Sequence, residues 1–214
     1  MNNQLDLLIK RYPILKECEN DIKNAYKVLE ECFANGHKLL IAGNGGSCAD
    51  SEHIVGELMK GFKLPRKCSE EFANKLISID SERGAELAEK LQGGLPAIAL
   101  TDHQALNTAY INDVANGGLL TYAQQVYAYG KEGDVLLGIS TSGNSKNVMY
   151  ATVIARAMGI KVIGLTGAKG GTLATVADVS IKVPETETYM IQELHLPVYH
   201  CLCLMLEKRF FHEQ

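Results

Sequence analysis

From about Leu5 to Phe33, apolar residues recur at helical spacing (Leu8, Ile9, Ile14, Leu15, Ile22, Ala25, Tyr26, Leu29), and Pro13 interrupts the run. This predicts a helical N-terminal arm over 1–35, bent or broken at the proline and ended by Asn35-Gly36. The pattern then changes. Lys38-Leu39-Leu40-Ile41-Ala42 is a short apolar run that stops at Gly43, as a strand buried on both faces would. Similar runs follow at Pro96 to Leu100, Val135 to Ile139, Lys161 to Leu165 and Val179 to Val183. Helices are expected at about 47–62, 119–129, 145–158 and 188–210. Strands alternating with helices in this way predict an α/β fold, a doubly wound, five-stranded and mainly parallel sheet flanked by helices. The charged stretch 61–94 carries Phe72, Leu76, Ile79, Leu87 and Leu91 at helical spacing but is not needed to close the sheet, so it reads as an inserted helical segment at a subunit contact or lid. The last helix is apolar from Leu194 to Leu206, which suggests burial on more than one side and favours self-association.

Composition narrows the class. At ~150 residues per domain, the 214 residues make one domain over 1–214. With 46% hydrophobic and 21% charged residues the chain can bury a real core. The net charge of −4, without a long basic run, argues against nucleic acid and anionic membranes as partners and leaves small solutes as the default. The six cysteines form no CxxC pair and no secretory leader pattern opens the sequence, so reduced thiols in a cytoplasmic protein are expected. No apolar stretch approaches the ~20 residues that span a bilayer.

Two loops carry candidate chemistry. Ser140-Thr141-Ser142-Gly143-Asn144-Ser145 leaves a buried strand and enters a helix, so its hydroxyls and free N–H groups gather at a positive helix N-terminus, with Lys146 in the first turn. This suits a phosphate monoester; the plainer alternative is that Ser145 merely caps the helix. Gly43-Asn44-Gly45-Gly46-Ser47 stands at the end of the first strand, and Ser47 with Asp50 forms a capping-box-like S-x-x-D. Its third fingerprint position is Cys48 and no P-loop exists, so no nucleotide cofactor is expected. Both loops should border one crevice for a small ligand.

His53 and Glu57 lie four apart, on one helix face, which fits a metal or an acid/base pair as well as an ordinary exposed hydrogen-bonded pair. Near the C-terminus, Gln192-Glu193-Leu194-His195-Leu196-Pro197-Val198-Tyr199-His200 places polar groups on an otherwise apolar helix. His200 among Tyr199, Cys201 and Leu202 is expected to be buried and to need a partner, and a core histidine is the alternative to a functional one. Gln192 and His200 are ~12 Å apart along a straight helix, so one metal would barely reach both unless Pro197 kinks the helix or a neighbouring chain supplies a ligand.

Together these loops and the His53/Glu57 and Gln192/His200 pairs resemble the sedoheptulose-7-phosphate (phosphoheptose) isomerases of the sugar isomerase (SIS) superfamily, over nearly the whole chain. The resemblance implies a single SIS domain and a cytoplasmic homotetramer with active sites between subunits. It also implies conversion of a ketoheptose phosphate to the aldose for surface-polysaccharide heptose. It places phosphate on Ser140, Thr141, Ser142 and Ser145, substrate on Asn44, Gly45, Gly46, Ser47 and Gln192, and a further contact at Asp113 or Asn112. It makes Glu57 and His200 the catalytic acid/base pair, and His53, Glu57, Gln192 and His200 the ligands of one zinc per subunit. Tyr189 stands where many members carry an acidic residue, which keeps another ketose phosphate open as substrate. A non-catalytic phosphosugar- or protein-binding module is the alternative from another class.

Overall fold

A computed structural model of the chain describes residues 3–211. The arm is α1 (Asn3–Arg11), a 3₁₀ segment Pro13–Cys18 and α2 (Glu19–Ala34). Pro13 opens the 3₁₀ turn, where its missing N–H costs nothing. There follow β1 (Leu39–Gly43), α3 (Gly46–Met59), α4 (Glu70–Ile79), α5 (Ser81–Lys90), β2 (Ala97–Ala99), α6 (Gln104–Asp113) and α7 (Gly117–Tyr129). The chain continues through β3 (Val135–Ile139), α8 (Lys146–Ala157), β4 (Lys161–Thr166), α9 (Gly171–Val176), β5 (Val179–Lys182) and α10 (Thr188–Phe210).

The five strands form one parallel sheet in the order β2-β1-β3-β4-β5. Alternate residues face opposite layers. Leu39, Ile41, Val135, Leu137, Ile139, Ile163 and Leu165 join a core with the N-terminal arm, α3 and α10. Leu40, Ala42, Leu136 and Val162 join a second core with α7, α8 and α9. Because the chain moves from β1 outward to β2 and then crosses to β3, the strand order reverses between β1 and β3. A crevice opens there at the carboxyl ends, as in other doubly wound sheets. Gly43 pairs in register with Ile139, so the loops after β1 and β3 stand side by side at that point.

Two helices, α6 and α9, were not expected from the sequence. The segment 61–94 is a helical hairpin, with a Lys67–Gln92 bridge at its base and Gly61 N–H donating to Gln92 Oε1 at 2.6 Å. Its two helices add nothing to the core: Gly84 is their one buried residue, and Phe72, Ile79 and Leu87 are exposed. Ser69 and Asp80 cap its two helices through side-chain oxygens. Helix α10 runs unbroken through Pro197 and is buried around much of its circumference, at Val198, Tyr199, Cys201, Leu202, Cys203, Met205 and Leu206. Among the described residues no helix is long and apolar enough to cross a membrane, and all six cysteines are free.

Candidate active site

The first loop turns on Gly45, whose φ of +56° with ψ of −120° is a conformation open to glycine. The helix therefore starts two residues earlier than the serine suggested. Gly45 is the N-cap and Ser47 lies buried in the first turn, its carbonyl accepting the Ser51 hydroxyl at 2.7 Å. The expected Ser47/Asp50 capping box is thus absent; Asp50 instead accepts a hydrogen bond from the Tyr199 hydroxyl at 3.1 Å. Asn44 pairs with Asn147 of α8 through two amide bonds of 2.9 and 2.8 Å, which tie the first loop to the helix behind the second. The Tyr122 hydroxyl donates to the Gly43 carbonyl at 2.6 Å from below. Burial pushes that phenol up to about 12, so it stays a donor.

In the second loop Ser145 is the N-cap of α8 by position, yet its side chain makes no capping bond. Its Oγ lies 2.9 Å from Ser140 Oγ. The simple capping role is therefore not the one this hydroxyl performs. Gly143 has φ +67°, and a Cβ there would sit 1.9 Å from the Gly170 carbonyl oxygen, so the loop packs backbone to backbone against the loop after β4. Asn144 Oδ1 accepts from both the N–H and the hydroxyl of Thr172, at 3.0 Å each. A cavity of about 300 Å³ opens between Thr141, Ser142, Asn144, Lys169, Thr186 and Thr188. Lys169 and the two threonines were missed in the sequence, although a lysine among glycines directly after a strand, Gly167-Ala168-Lys169-Gly170-Gly171, is a readable anion signal.

The proton-transfer candidates gather between α3 and α10. His53 Nε2 is 3.1 Å from Glu57 Oε1 and 3.4 Å from His200 Nε2. His53 Nδ1 lies 3.0 Å from the Tyr199 hydroxyl. Glu57 Oε2 is buried with no hydrogen-bond partner; Lys60 Nζ stops 3.7 Å away. His200 is half-buried against Phe62 rather than buried as expected, because α3 ends beside it and leaves the ring's edge open. Its pKa is lowered, by desolvation first and by the neighbouring His53 second, with Glu57 opposing. The buried core histidine is His195, with 0% exposure and both ring nitrogens lacking a hydrogen-bond partner; burial pushes it down to about 4, so it is neutral.

A buried ion pair clamps the two helices. Glu207 of α10 accepts N–H bonds from Phe62, Lys63 and Leu64 and the Nε–H of Arg66 at 2.9 Å. Arg66 in turn donates to the carbonyls of Leu58 and Glu57, which end α3. Burial disfavours the Glu207 carboxylate, yet these donors outweigh it and hold its pKa below the ordinary range.

Not every expected residue joins the cluster. The Gln192 amide packs on Gly46, where a Cβ would meet Nε2 at 2.5 Å, while His200 meets His53 seven residues further along α3. Gln192 and His200 thus touch α3 at levels ~10 Å apart. Asn112 and Asp113 are exposed on α6 and bond to each other at 2.8 Å; among the described residues neither bonds to a crevice loop. No group of three or more His, Cys, Asp or Glu side chains among the described residues could hold a metal ion, so His53, Glu57 and His200 as placed do not form the zinc site that the resemblance implies.

A parallel sheet of this order, with a hydroxyl loop at its switch point and a titratable cluster further along the helix that leaves it, fits an SIS domain, and the SIS domain family matches residues 81–167. A phosphoheptose isomerase from Geotalea daltonii is 39% identical over 93% of this chain and 89% of its own length. The solved phosphoheptose isomerase of Neisseria gonorrhoeae superposes with a TM-score of 0.73 at 31% identity, covering 95% of this chain and 94% of that one. That of Francisella tularensis gives 0.71 at 34% identity, over 88% and 86%. The chain belongs to the phosphoheptose isomerase family and is, with it, an isomerase.

Proposed function

We propose that the chain converts sedoheptulose 7-phosphate to D-glycero-D-manno-heptose 7-phosphate, with Glu57 and His200 as the proton-transfer groups. The observation that carries this reading is the Glu57 carboxylate held beside His53, which in turn meets His200, on the helix that leads out of a crevice loop. A ketose-to-aldose isomerisation must move a proton from C1 to C2 while carbonyl and hydroxyl exchange places, so it needs a base, an acid and stabilisation of an enediolate. A carboxylate can take the carbon-bound proton as general base. His200 is held largely neutral by its lowered pKa, so it can take and return the hydroxyl proton or open the sugar ring. Ser140, Thr141, Ser142 and Ser145, with Lys169, would hold the phosphate, and the Asn44–Ser47 loop with Gln192 would fix the sugar.

The exposed apolar residues of the α4–α5 hairpin, together with the groove along Leu7, Leu196 and His200, support assembly into a tetramer with sites at subunit contacts. A cytoplasmic setting accords with six free thiols. The test is to incubate the purified protein with sedoheptulose 7-phosphate, with and without zinc, and follow the aldose by NMR. Aldose formation is expected; folded protein that binds the phosphosugar but makes no aldose would overturn the reading.

A further inference from the structure

We propose that Lys60, at the end of α3, is a further catalytic residue: its ammonium meets the enediolate oxygen on C2 as Glu57 takes the proton from C1. The inference deepens the function proposed above and rests on its reading of Glu57 as the base.

The reaction needs a base, an acid and a stabiliser of negative charge, and Glu57 and His200 supply the first two. Lys60 Nζ lies 3.7 Å from Glu57 Oε2, the oxygen with no hydrogen-bond partner. At that distance the two charges attract without a hydrogen bond between them. The bond that Nζ does make, to the Gly61 carbonyl, is long at 3.4 Å, and the side chain is 62% exposed, so it keeps N–H groups for a ligand. As an exposed ion pair three residues apart, the contact with Glu57 would add little to stability.

Lys60 is not needed to close the helix either. It is the C-cap, with an extended backbone of φ −135° and ψ 175°, and the carbonyls of Glu57 and Leu58 are taken by Arg66. The backbone on both sides of it is fixed. The Leu58 carbonyl also accepts from the Leu95 N–H at 2.9 Å, and the Gly61 N–H donates to Gln92 Oε1 at 2.6 Å across the base of the α4–α5 hairpin. What moves is the four-carbon stem, which carries a compact charge.

The chemistry puts a negative charge within its reach. To abstract the proton, Glu57 must come within ~3.5 Å of C1, and the next carbon carries O2. The C1–H bond breaks and its proton goes to the Glu57 carboxylate. The electron pair left on C1 forms the C1=C2 bond, and the π pair of the C2 carbonyl moves onto O2. Negative charge thus passes from Glu57 to O2, beside the same ammonium. The reaction closes when O1 gives its proton through His200 to O2, the C1 carbonyl forms, and C2 takes the proton held by Glu57. Lys60 faces Glu57 without a hydrogen bond in the free protein and donates one to O2 in the enediolate. Its contact is therefore stronger in the transition state than before it.

The test compares the full-length wild type with Lys60→Met, which keeps the stem and removes the charge, and with Lys60→Arg, which keeps the charge. With sedoheptulose 7-phosphate, Lys60→Met should lose ~10–100-fold in kcat with KM little changed, as when a charged hydrogen bond made in the transition state is removed. Exchange of C1 protons in D₂O should slow by the same factor, Lys60→Arg should recover most of the loss, and urea melts of all three should coincide. A second measurement needs no turnover: calorimetric binding, with a chelator present, of a hexonohydroxamate 6-phosphate and of a hexitol 6-phosphate. The hydroxamate carries an ionisable oxygen where the enediolate bears its charge, and the hexitol phosphate does not. Wild type should prefer the hydroxamate, and Lys60→Met should bind it ~10-fold more weakly while holding the hexitol phosphate unchanged. An unchanged kcat in Lys60→Met, equal weakening of both ligands, or no wild-type preference would overturn the inference, and the last needs no variant to fold. The two claims fail separately. Aldose formed equally fast by wild type and Lys60→Met overturns the inference alone. No aldose from wild type, with a hydroxamate preference that depends on Lys60, overturns the function and supports Lys60 as the partner of the enediolate oxygen.

Discussion

The two ends of the crevice are built on opposite plans. At the end assigned above to phosphate, the loop is held by the protein itself: Ser140 with Ser145, Asn144 with Thr172, and Gly143 against Gly170. Its conformation is complete before a ligand arrives, which keeps the ordering cost of binding low. At the end assigned to proton transfer, His53 lies 3.1 Å from Glu57 and 3.4 Å from His200, and one Glu57 oxygen has no hydrogen-bond partner, only the Lys60 ammonium 3.7 Å away. That arrangement costs stability, and the Arg66–Glu207 clamp together with the Asp50–Tyr199 bonds holds it in place. Binding is assigned to the satisfied end and chemistry to the unsatisfied one.

Substitutions should separate the two ends. The largest effect is expected for Glu57→Gln and His200→Ala, which should each lose ~10²-fold or more in kcat with KM little altered, as when a proton-transfer group is removed. Steady-state kinetics checks this, and an unchanged kcat in both would remove them from the reaction. Gly143→Ala comes next. The added methyl meets the Gly170 carbonyl at a positive φ, so the loop should be displaced, with ~2–3 kcal/mol of stability lost and a raised KM, read by denaturant melts and kinetics.

Between the ends, His195 offers a pH handle. Its folded pKa of about 4 is below the ordinary 6.5, so the unfolded chain binds the extra proton between these values. Its contribution is full above pH 6.5 and is lost as pH falls toward 4, at about 2 kcal/mol between pH 7 and 5. His195→Leu should flatten that part of the urea-melt profile, and a slope unchanged from wild type would contradict the assignment. The smallest effect belongs to Ser142→Ala, which should raise KM by ~5–10-fold, the loss of one hydrogen bond to an anion, and leave kcat nearly unchanged.

The same contrast explains what could be read in the sequence. The hydroxyl-rich loop is six consecutive residues after a buried strand, and His53 with Glu57 is one helical turn, so both are local and visible. The strands were legible because burial on both faces leaves continuous apolar runs. Helix α9 has six residues, too few to show a period, and no residue of α6 is buried, so neither carried a core-facing stripe. The Asp50–Tyr199 bond joins residues 149 apart, and the Arg66–Glu207 pair residues 141 apart; their distance in the chain leaves no pattern to see. The buried histidine was misplaced for a related reason. His195 and His200 sit in similarly apolar sequence, and only the packing around each, Phe62 beside His200 and full burial of His195, tells the two rings apart.

The central claim is that Glu57 carries the proton between C1 and C2, and the most direct test is sedoheptulose 7-phosphate turned over in D₂O, with deuterium at C2 of the product read by NMR. The account predicts aldose from the wild type, with C2 deuterium to the extent that the carried proton exchanges with solvent, and loss of both product and C1 exchange in Glu57→Gln. Aldose formation or C1 exchange that persists in Glu57→Gln would contradict it.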